Sequence, residues 1–231
     1  MKTVGMLGGV GPESTVDYYR MIIAEYRKQR PDDSYPPILI NSINLTKMVA
    51  YLENRQLEPM TEELSLELQK LARAGADFAI LASNTPHLVF DELSRRSQIP
   101  LISIVEATRQ SAIEGGFKKL GLLGSRFTMQ AKFYPEVFAK AGIGLAMPNP
   151  EEQTYIHQRY MDELVKGVFL PQTRDGLLRI ANRLKEEEGI QALILGGTEL
   201  PLILRASSAR NLPFLDTAQI HVQAIVHEIL A

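Results

Sequence analysis

The chain of 231 residues contains no cysteine. This absence excludes disulfide bridges, cysteine-ligated metal sites and catalytic thiols. An excess of one charge is also absent, because 25 basic and 27 acidic residues leave a formal net charge of −2. That balance favours neither nucleic acid nor an anionic membrane as a partner. We therefore expect a function that needs neither a thiol nor a polyanionic partner.

Long apolar runs are missing as well. No stretch of the sequence approaches the length that crosses a bilayer. The first residues enter a strand pattern directly, without the features of a signal peptide. We expect a cytoplasmic protein with no membrane partner, long enough for one large domain or two small ones.

Two apolar runs end in small polar residues, and a helix pattern follows each. They occupy residues 79–87 (AILASNTPH) and residues 192–201 (ALILGGTELP). Each run is preceded by a helix pattern that closes in a glycine, Gly75 in the first case and Gly189 in the second. The sequence therefore predicts two strands of similar design, each ending in a polar turn.

Other segments repeat in the same order. Residues 2–9 (KTVGMLGG) match residues 118–125 (KKLGLLGS), and residues 99–103 (IPLIS) match residues 212–216 (LPFLD). No fixed short period is present, so the pattern indicates one internal duplication and not a solenoid.

The fold class follows from short apolar strands that alternate with helices. This alternation is typical of α/β folds with parallel sheets, in which ligands bind beyond the carboxyl ends of the strands. We expect two pseudosymmetric α/β domains with an active-site cleft between them. The first is assigned residues 1–98 and 211–231, the second residues 99–210. The segment from Pro213 is expected to return to the first domain as a strand and a helix.

A glycine-rich turn, residues 8–11 (GGVG), follows the first predicted strand. A dinucleotide site is one interpretation, but the third glycine of GxGxxG is missing and no acidic residue clearly closes a second strand. A tight strand-to-helix turn is the simpler interpretation. The backbone N–H groups of such a turn, including that of Gly9, also suit an anion at a helix N-terminus.

His87 and Lys166 have two interpretations each. His87 lies in the first turn of a predicted helix and is either a capping or surface residue or part of a site. Lys166 is either a favourable helix C-terminal residue or a substrate ligand. The remaining histidines show no metal-ligand spacing with a carboxylate, so no metal site is expected. They are His157, His221 and His227.

Several ordered segments together resemble the aspartate/glutamate racemase family, and the resemblance extends over nearly the whole chain. The segments are residues 8–19, 84–87, 124–129, 163–167, 196–201 and 214–218. The resemblance implies two pseudosymmetric α/β domains, an amino acid bound in the cleft, no pyridoxal phosphate or other cofactor, and often a homodimer. Each segment alone is weak evidence, whereas the ordered set is specific.

The resemblance also implies a mechanism of two-base proton exchange at Cα. In the family, one thiol precedes an Asn-Thr pair and a second precedes a Thr-Glu pair, because a thiolate is accessible near neutral pH. The corresponding positions here are Ser83 and Gly197, so both thiols are missing. A serine hydroxyl is a poor base without activation, and Gly197 is expected to leave a gap.

The carboxylate-binding residues of the resemblance are retained. Those expected to bind substrate are Gly9, Asn84, Thr85, Ser125, Thr128, Lys166 and Thr198. Those expected to take part in catalysis are Ser83, Gly197, Glu199 and His87.

Three hypotheses follow. The first is an enzyme that racemises an acidic or related amino acid, with Glu199, His87 or Lys166 replacing the thiols. The second is a catalytically silent protein that binds an amino acid or a small dicarboxylate. The third is a chain whose cysteines were replaced, for which glycine at position 197 is an odd choice.

Overall fold

Strands and helices alternate through the computed structural model, which describes residues 1–30, 32, 34–204 and 212–231. Within these residues the strands are β1 (Val4–Gly8), β2 (Ile38–Ser42), β3 (Phe78–Leu81), β4 (Leu101–Ile102), β5 (Lys119–Gly124), β6 (Gly144–Ala146), β7 (Ala192–Gly196) and β8 (Phe214–Asp216). The helices are α1 (Pro12–Gln29), α2 (Leu45–Glu53), α3 (Leu57–Arg73), α4 (Phe90–Arg96), α5 (Ile104–Glu114), α6 (Arg126–Met129), α7 (Phe133–Ala139), α8 (Pro150–Asp162), α9 (Pro171–Glu188), α10 (Leu200–Leu204) and α11 (Thr217–Leu230). Short 3₁₀ segments occupy Thr85–Val89 and Leu164–Lys166.

The chain divides into two units. The first comprises Met1–Ile104 and Ala218–Ala231, and the second comprises Val105–Thr217. None of the helices in the described ranges is both long and apolar enough to cross a membrane.

Each unit contains one parallel sheet, and the two sheets have the same strand order. Among the described residues the order is β2-β1-β3-β4 in the first unit and β6-β5-β7-β8 in the second. The strand pairs in these described ranges are all parallel, as expected when a crossover helix separates successive strands. This agreement confirms the predicted fold class, a duplicated α/β architecture with parallel sheets.

The fourth strand of each sheet departs from the predicted domain boundaries. From the sequence, residues 99–210 are expected in the second domain and residues 211–231 in the first. In the structure β4 pairs with β3 and completes the first sheet, whereas β8 pairs with β7 and completes the second. The physical reason is that the backbone N–H and C=O groups of each short strand need hydrogen-bond partners, and the neighbouring strand of the same sheet supplies them. The predicted boundary at residues 210–211 lies outside the described residues.

The C-terminal helix α11 returns to the first unit, which includes Ala218–Ala231. Its apolar residues Val222, Ile225 and Ile229 are fully buried and share one core cluster with Val4 and Tyr18. The predicted return of this helix therefore agrees with the structure, while the predicted return of the strand before it was wrong.

The inner strand β1 is buried on both faces. Val4 and Met6 belong to the cluster that contains residues of α1 and α11, whereas Leu7 packs with Leu64 and Leu68 of α3. Alternating side chains of a strand point to opposite faces, so this strand is covered by helices on either side. Its carboxyl end is thereby held at the edge of a rigid layer.

A buried histidine on α11 holds the end of β4. His221 donates from Nε2 to the carbonyl oxygen of Ile102 at 3.1 Å, and its Nδ1 accepts the hydroxyl proton of Tyr18 at 3.0 Å. A carbonyl oxygen only accepts, so the proton of the neutral ring lies on Nε2. Burial lowers the pKa of His221 to about 4, which keeps this arrangement neutral at ordinary pH.

We expect His221 to make the fold sensitive to acid. Below about pH 6.5 the unfolded chain takes up a proton at this histidine, whereas the folded chain resists protonation until the pH approaches its pKa of about 4. The free energy of unfolding should therefore fall by about 1.4 kcal/mol per pH unit within that window because of His221 alone. Above pH 6.5 this group should contribute no pH dependence. Urea unfolding between pH 7.5 and 4.5 measures the slope.

The variant His221→Gln should lose this component of the slope, although it should be less stable at pH 7.5 because a buried hydrogen bond to Tyr18 is lost. His227 is exposed on the same helix, so His227→Gln is the matched control and should keep the full slope. An unchanged slope in His221→Gln would contradict the assignment.

Candidate active site

The glycine-rich turn after β1 is tightly packed. Gly9 and Gly11 have φ angles of 85° and 96°, in the region that favours glycine. A Cβ atom on Gly9 would lie 2.2 Å from the carbonyl oxygen of Ile43. The N–H of Gly9 donates to Thr15 Oγ1 at 2.8 Å. The glycines therefore serve a tight turn, and the Gly9 N–H is engaged within the protein. A substrate contact of Gly9 stays a prediction.

Polar residues lie just beyond the inner strand β3, after Ala82. Ser83 and Asn84 are buried, and Thr85, which begins the 3₁₀ segment, is half-buried. Because β3 pairs with β1, these residues lie at the same edge of the first sheet as the turn that contains Gly9. The substrate contacts of Asn84 and Thr85 stay predictions.

His87 is enclosed beside this strand end. Its Nδ1 donates to the carbonyl oxygen of Ser83 at 3.1 Å, and its Nε2 accepts the N–H of Ile104 at 3.2 Å. The ring stacks on Phe90 with a centroid distance of 4.8 Å. Burial, together with the nearby His221, lowers the pKa of His87 to about 3.

The predicted use of His87 as a substitute base does not fit this arrangement. The only lone pair of the neutral ring already accepts the Ile104 N–H, so none remains for a substrate proton. Burial also prevents His87 from taking up a proton, because a protonated imidazole there would lose its solvation. His87 instead fixes the backbone of Ser83.

The second unit has its own polar strand ends. Ser125 follows β5 and caps α6, where its Oγ accepts the N–H of Thr128 at 3.3 Å. The two hydroxyl oxygens of Ser125 and Thr128 are also 3.3 Å apart, and both side chains are buried. Their substrate contacts stay predictions.

Gly197 follows the inner strand β7, and its surroundings differ from expectation. A Cβ atom built on Gly197 would lie 2.5 Å from Cε2 of Tyr160 and 2.8 Å from its hydroxyl oxygen. The predicted gap at this position was therefore wrong, because the phenol ring of Tyr160 fills the space.

The phenol belongs to a buried hydrogen-bond network. Tyr160 donates its hydroxyl proton to Oε2 of Glu199, and Thr198 Oγ1 donates to the same oxygen at 3.2 Å. Glu199 is 1% exposed, Thr198 2% and Tyr160 8%. Burial, together with the negative charge of Glu199, raises the pKa of Tyr160 well above its ordinary value. The phenol therefore stays protonated.

Tyr160 was not among the residues predicted from the sequence. It lies inside α8, whose pattern indicates only an amphipathic helix with Ile156 and Tyr160 on one buried face. The sequence offered one indirect signal. The resemblance implies a side chain at position 197, and where glycine stands instead, another residue must fill the space because protein interiors are closely packed.

Lys166 is not buried, unlike most of the residues described above. Its side chain is exposed at the end of the second 3₁₀ segment, before Gly167, whose φ is 72°. This position suits the helix C-terminal interpretation. A substrate contact of Lys166 stays a prediction. In the described part of the chain no group of three or more His, Asp or Glu residues is arranged to hold a metal ion.

We expect substitutions at positions 160 and 197 to have non-additive effects on the free energy of unfolding. Gly197→Ala should reduce the free energy of unfolding by about 1–3 kcal/mol, because a new methyl group meets a packed ring. In a Tyr160→Leu background the same change should be much milder. Gly144→Ala is the control, since its Cβ would meet nothing closer than 3.8 Å. Additive effects of the two changes in urea unfolding would contradict the contact.

Comparison with known proteins points to one family. A family model for Asp/Glu/hydantoin racemases matches residues 7–225. The chain is 25% identical over 239 aligned residues to the broad specificity amino-acid racemase RacX of Bacillus subtilis, covering 99% of this chain and 98% of that protein.

Solved structures agree. An aspartate racemase homologue from Pyrococcus horikoshii superposes with a TM-score of 0.84 at 33% identity, over the full length of both chains. A proposed Asp/Glu racemase from Yersinia pestis superposes with a TM-score of 0.89 at 30% identity, again over both full chains. The chain belongs to the Asp/Glu/hydantoin racemase family.

Proposed function

We propose that this protein binds an acidic or related amino acid and exchanges the proton on its Cα without pyridoxal phosphate. The observation that carries the proposal is the equivalence of positions 83 and 197. Each lies just beyond the third strand of its unit, position 83 two residues after β3 and position 197 one residue after β7, and these strands hold the same place in two sheets of the same order. The family resemblance assigns the proton-transferring side chains to these two positions.

Binding would rest on buried hydroxyl and amide groups at the strand ends. A carboxylate accepts hydrogen bonds strongly from such donors, and the donors also stabilise charge that develops next to Cα when the proton leaves. We assign this role to Asn84, Thr85, Ser125 and Thr128. That the strand ends of both units share one ligand stays a prediction from the resemblance.

Proton transfer without thiols requires other groups. The hydroxyl of Ser83 is a weak base at its ordinary pKa. Glu199 is the buried acid or base that directly follows Thr198 in the second unit. Its carboxylate is already fixed by two hydroxyl groups, so its orientation is set before a substrate arrives. Cytoplasmic location and homodimer formation stay predictions from the sequence.

The proposal is tested by proton exchange. The protein is incubated in deuterated water with a panel of L-amino acids that includes aspartate and glutamate, and the Cα–H signal is followed by nuclear magnetic resonance. We expect that signal to disappear for at least one acidic amino acid, faster than in a sample without protein. Binding by calorimetry without any exchange would identify a catalytically silent binding protein instead.

Substrate binding is tested at Thr85. Thr85→Val keeps the shape of the side chain and removes its hydroxyl group. A charge-assisted hydrogen bond is worth about 1.5–3 kcal/mol, so the dissociation constant should rise about 10- to 100-fold. Thr154→Val, at an exposed threonine on α8, is the control and should bind as the unmodified protein does. Equal affinities for both variants would place the binding site elsewhere.

A further inference from the structure

Position 197 has no side chain of its own, yet a proton-bearing group of another residue occupies its space. The hydroxyl oxygen of Tyr160 lies 2.8 Å from the point where a side chain of residue 197 would begin. The Cβ atom of any thiol-bearing residue at that position would lie 2.5 Å from Cε2 of the phenol ring. Glycine and tyrosine are therefore a matched pair, because neither the ring nor a larger residue 197 fits without the other changing.

We propose that Tyr160 is the catalytic residue that replaces the missing thiol at position 197, and that Glu199 receives and returns its proton. This inference rests on the proposed function and names the group that performs it in the second unit.

The proposed step is a relay of two protons in which atoms and charge are conserved. The C–H bond at Cα breaks, and its proton moves to the oxygen of Tyr160 while the proton of that hydroxyl passes to Oε2 of Glu199. The electron pair stays on the substrate, conjugated with its carboxylate group. Glu199 becomes a neutral carboxylic acid, so its negative charge is transferred to the substrate. The reverse step returns a proton to Cα.

The network favours a relay over a resting phenolate. A phenolate at Tyr160 would be buried beside the carboxylate of Glu199, and both burial and like charge disfavour that form. The hydroxyl already donates to Oε2, so the path for the second proton exists before substrate binds. Thr198 donates to the same oxygen and holds the carboxylate in place.

The helix that carries the phenol is firmly anchored. Asn149 and Glu152 form a reciprocal capping box at the start of α8. Glu152 also pairs through both oxygens with Arg183 of α9 at 2.5 Å. Ile156, one turn before Tyr160, is buried in the same apolar cluster. A proton-transferring group needs such fixed geometry, because small displacements reduce the rate steeply.

Tyr160→Phe tests the assignment directly, because it keeps the ring and removes only the oxygen. Exchange of the Cα proton in deuterated water should fall about 10²- to 10⁴-fold, the range for a positioned acid or base. Affinity, measured by calorimetry on the same sample, should change little. Glu199→Gln should show the same split, since the amide is a poor proton acceptor. Tyr155→Phe, on the same helix and against Gly176, is the matched control and should exchange normally.

A second experiment tests whether a thiol at position 197 can replace the phenol of Tyr160. In a Tyr160→Ala background, Gly197→Cys has room for a thiol, and exchange should recover relative to Tyr160→Ala alone. The same Gly197→Cys change without the truncation should not raise exchange, because the ring blocks the thiol.

The outcomes separate two failures. If the unmodified protein and Tyr160→Phe exchange at equal rates, the proposed function stands and the role of Tyr160 is overturned. If the unmodified protein binds amino acids but exchanges none of them, the proposed function and the role of Tyr160 both fall. Loss of exchange together with an equal loss of affinity in Tyr160→Phe would assign the phenol to binding and would also overturn the proposal.

Discussion

The contact between Gly197 and the ring of Tyr160 constrains the chemistry at the end of β7. The ring leaves no room for a side chain on residue 197, and the hydroxyl at its tip is bonded to Glu199. Three residues thus depend on one another: glycine admits the ring, the ring presents its oxygen, and the carboxylate orients that oxygen. A change at one position alters what is possible at the other two. A thiol-free site can therefore be an organised arrangement and not merely a damaged one.

The two units share a strand order but not the chemistry of their strand ends. In the first unit a neutral, buried His87 fixes the carbonyl group of Ser83, and the serine hydroxyl is the candidate reactive group. In the second unit the candidate is the phenol supported by Glu199. Strand order is set by backbone pairing and apolar packing, which tolerate many side chains. The two units therefore share a scaffold while their strand ends carry different proton-bearing groups.

Much of the architecture could be predicted from local patterns in the sequence. The apolar runs before Ser83 and Gly197 predicted two equivalent strands, because such strands have a recognisable composition and a polar end. The assignment of β4 and β8 to their domains was wrong. Strands of two or three residues carry little periodicity, and distant neighbours decide their pairing. The burial and the hydrogen-bond partners of His87 and Tyr160 were not accessible from the sequence either, because both arise only when distant segments pack together.

The most direct measurement is the crystal structure of the protein with a bound amino acid that it exchanges. We expect the substrate Cα to lie within about 3–3.5 Å of the Tyr160 oxygen, the separation of a reactive pair. The hydroxyl should still face Glu199 in that complex. A substrate whose Cα is distant from Tyr160, or whose carboxylate occupies the phenol's hydrogen bond, would contradict it.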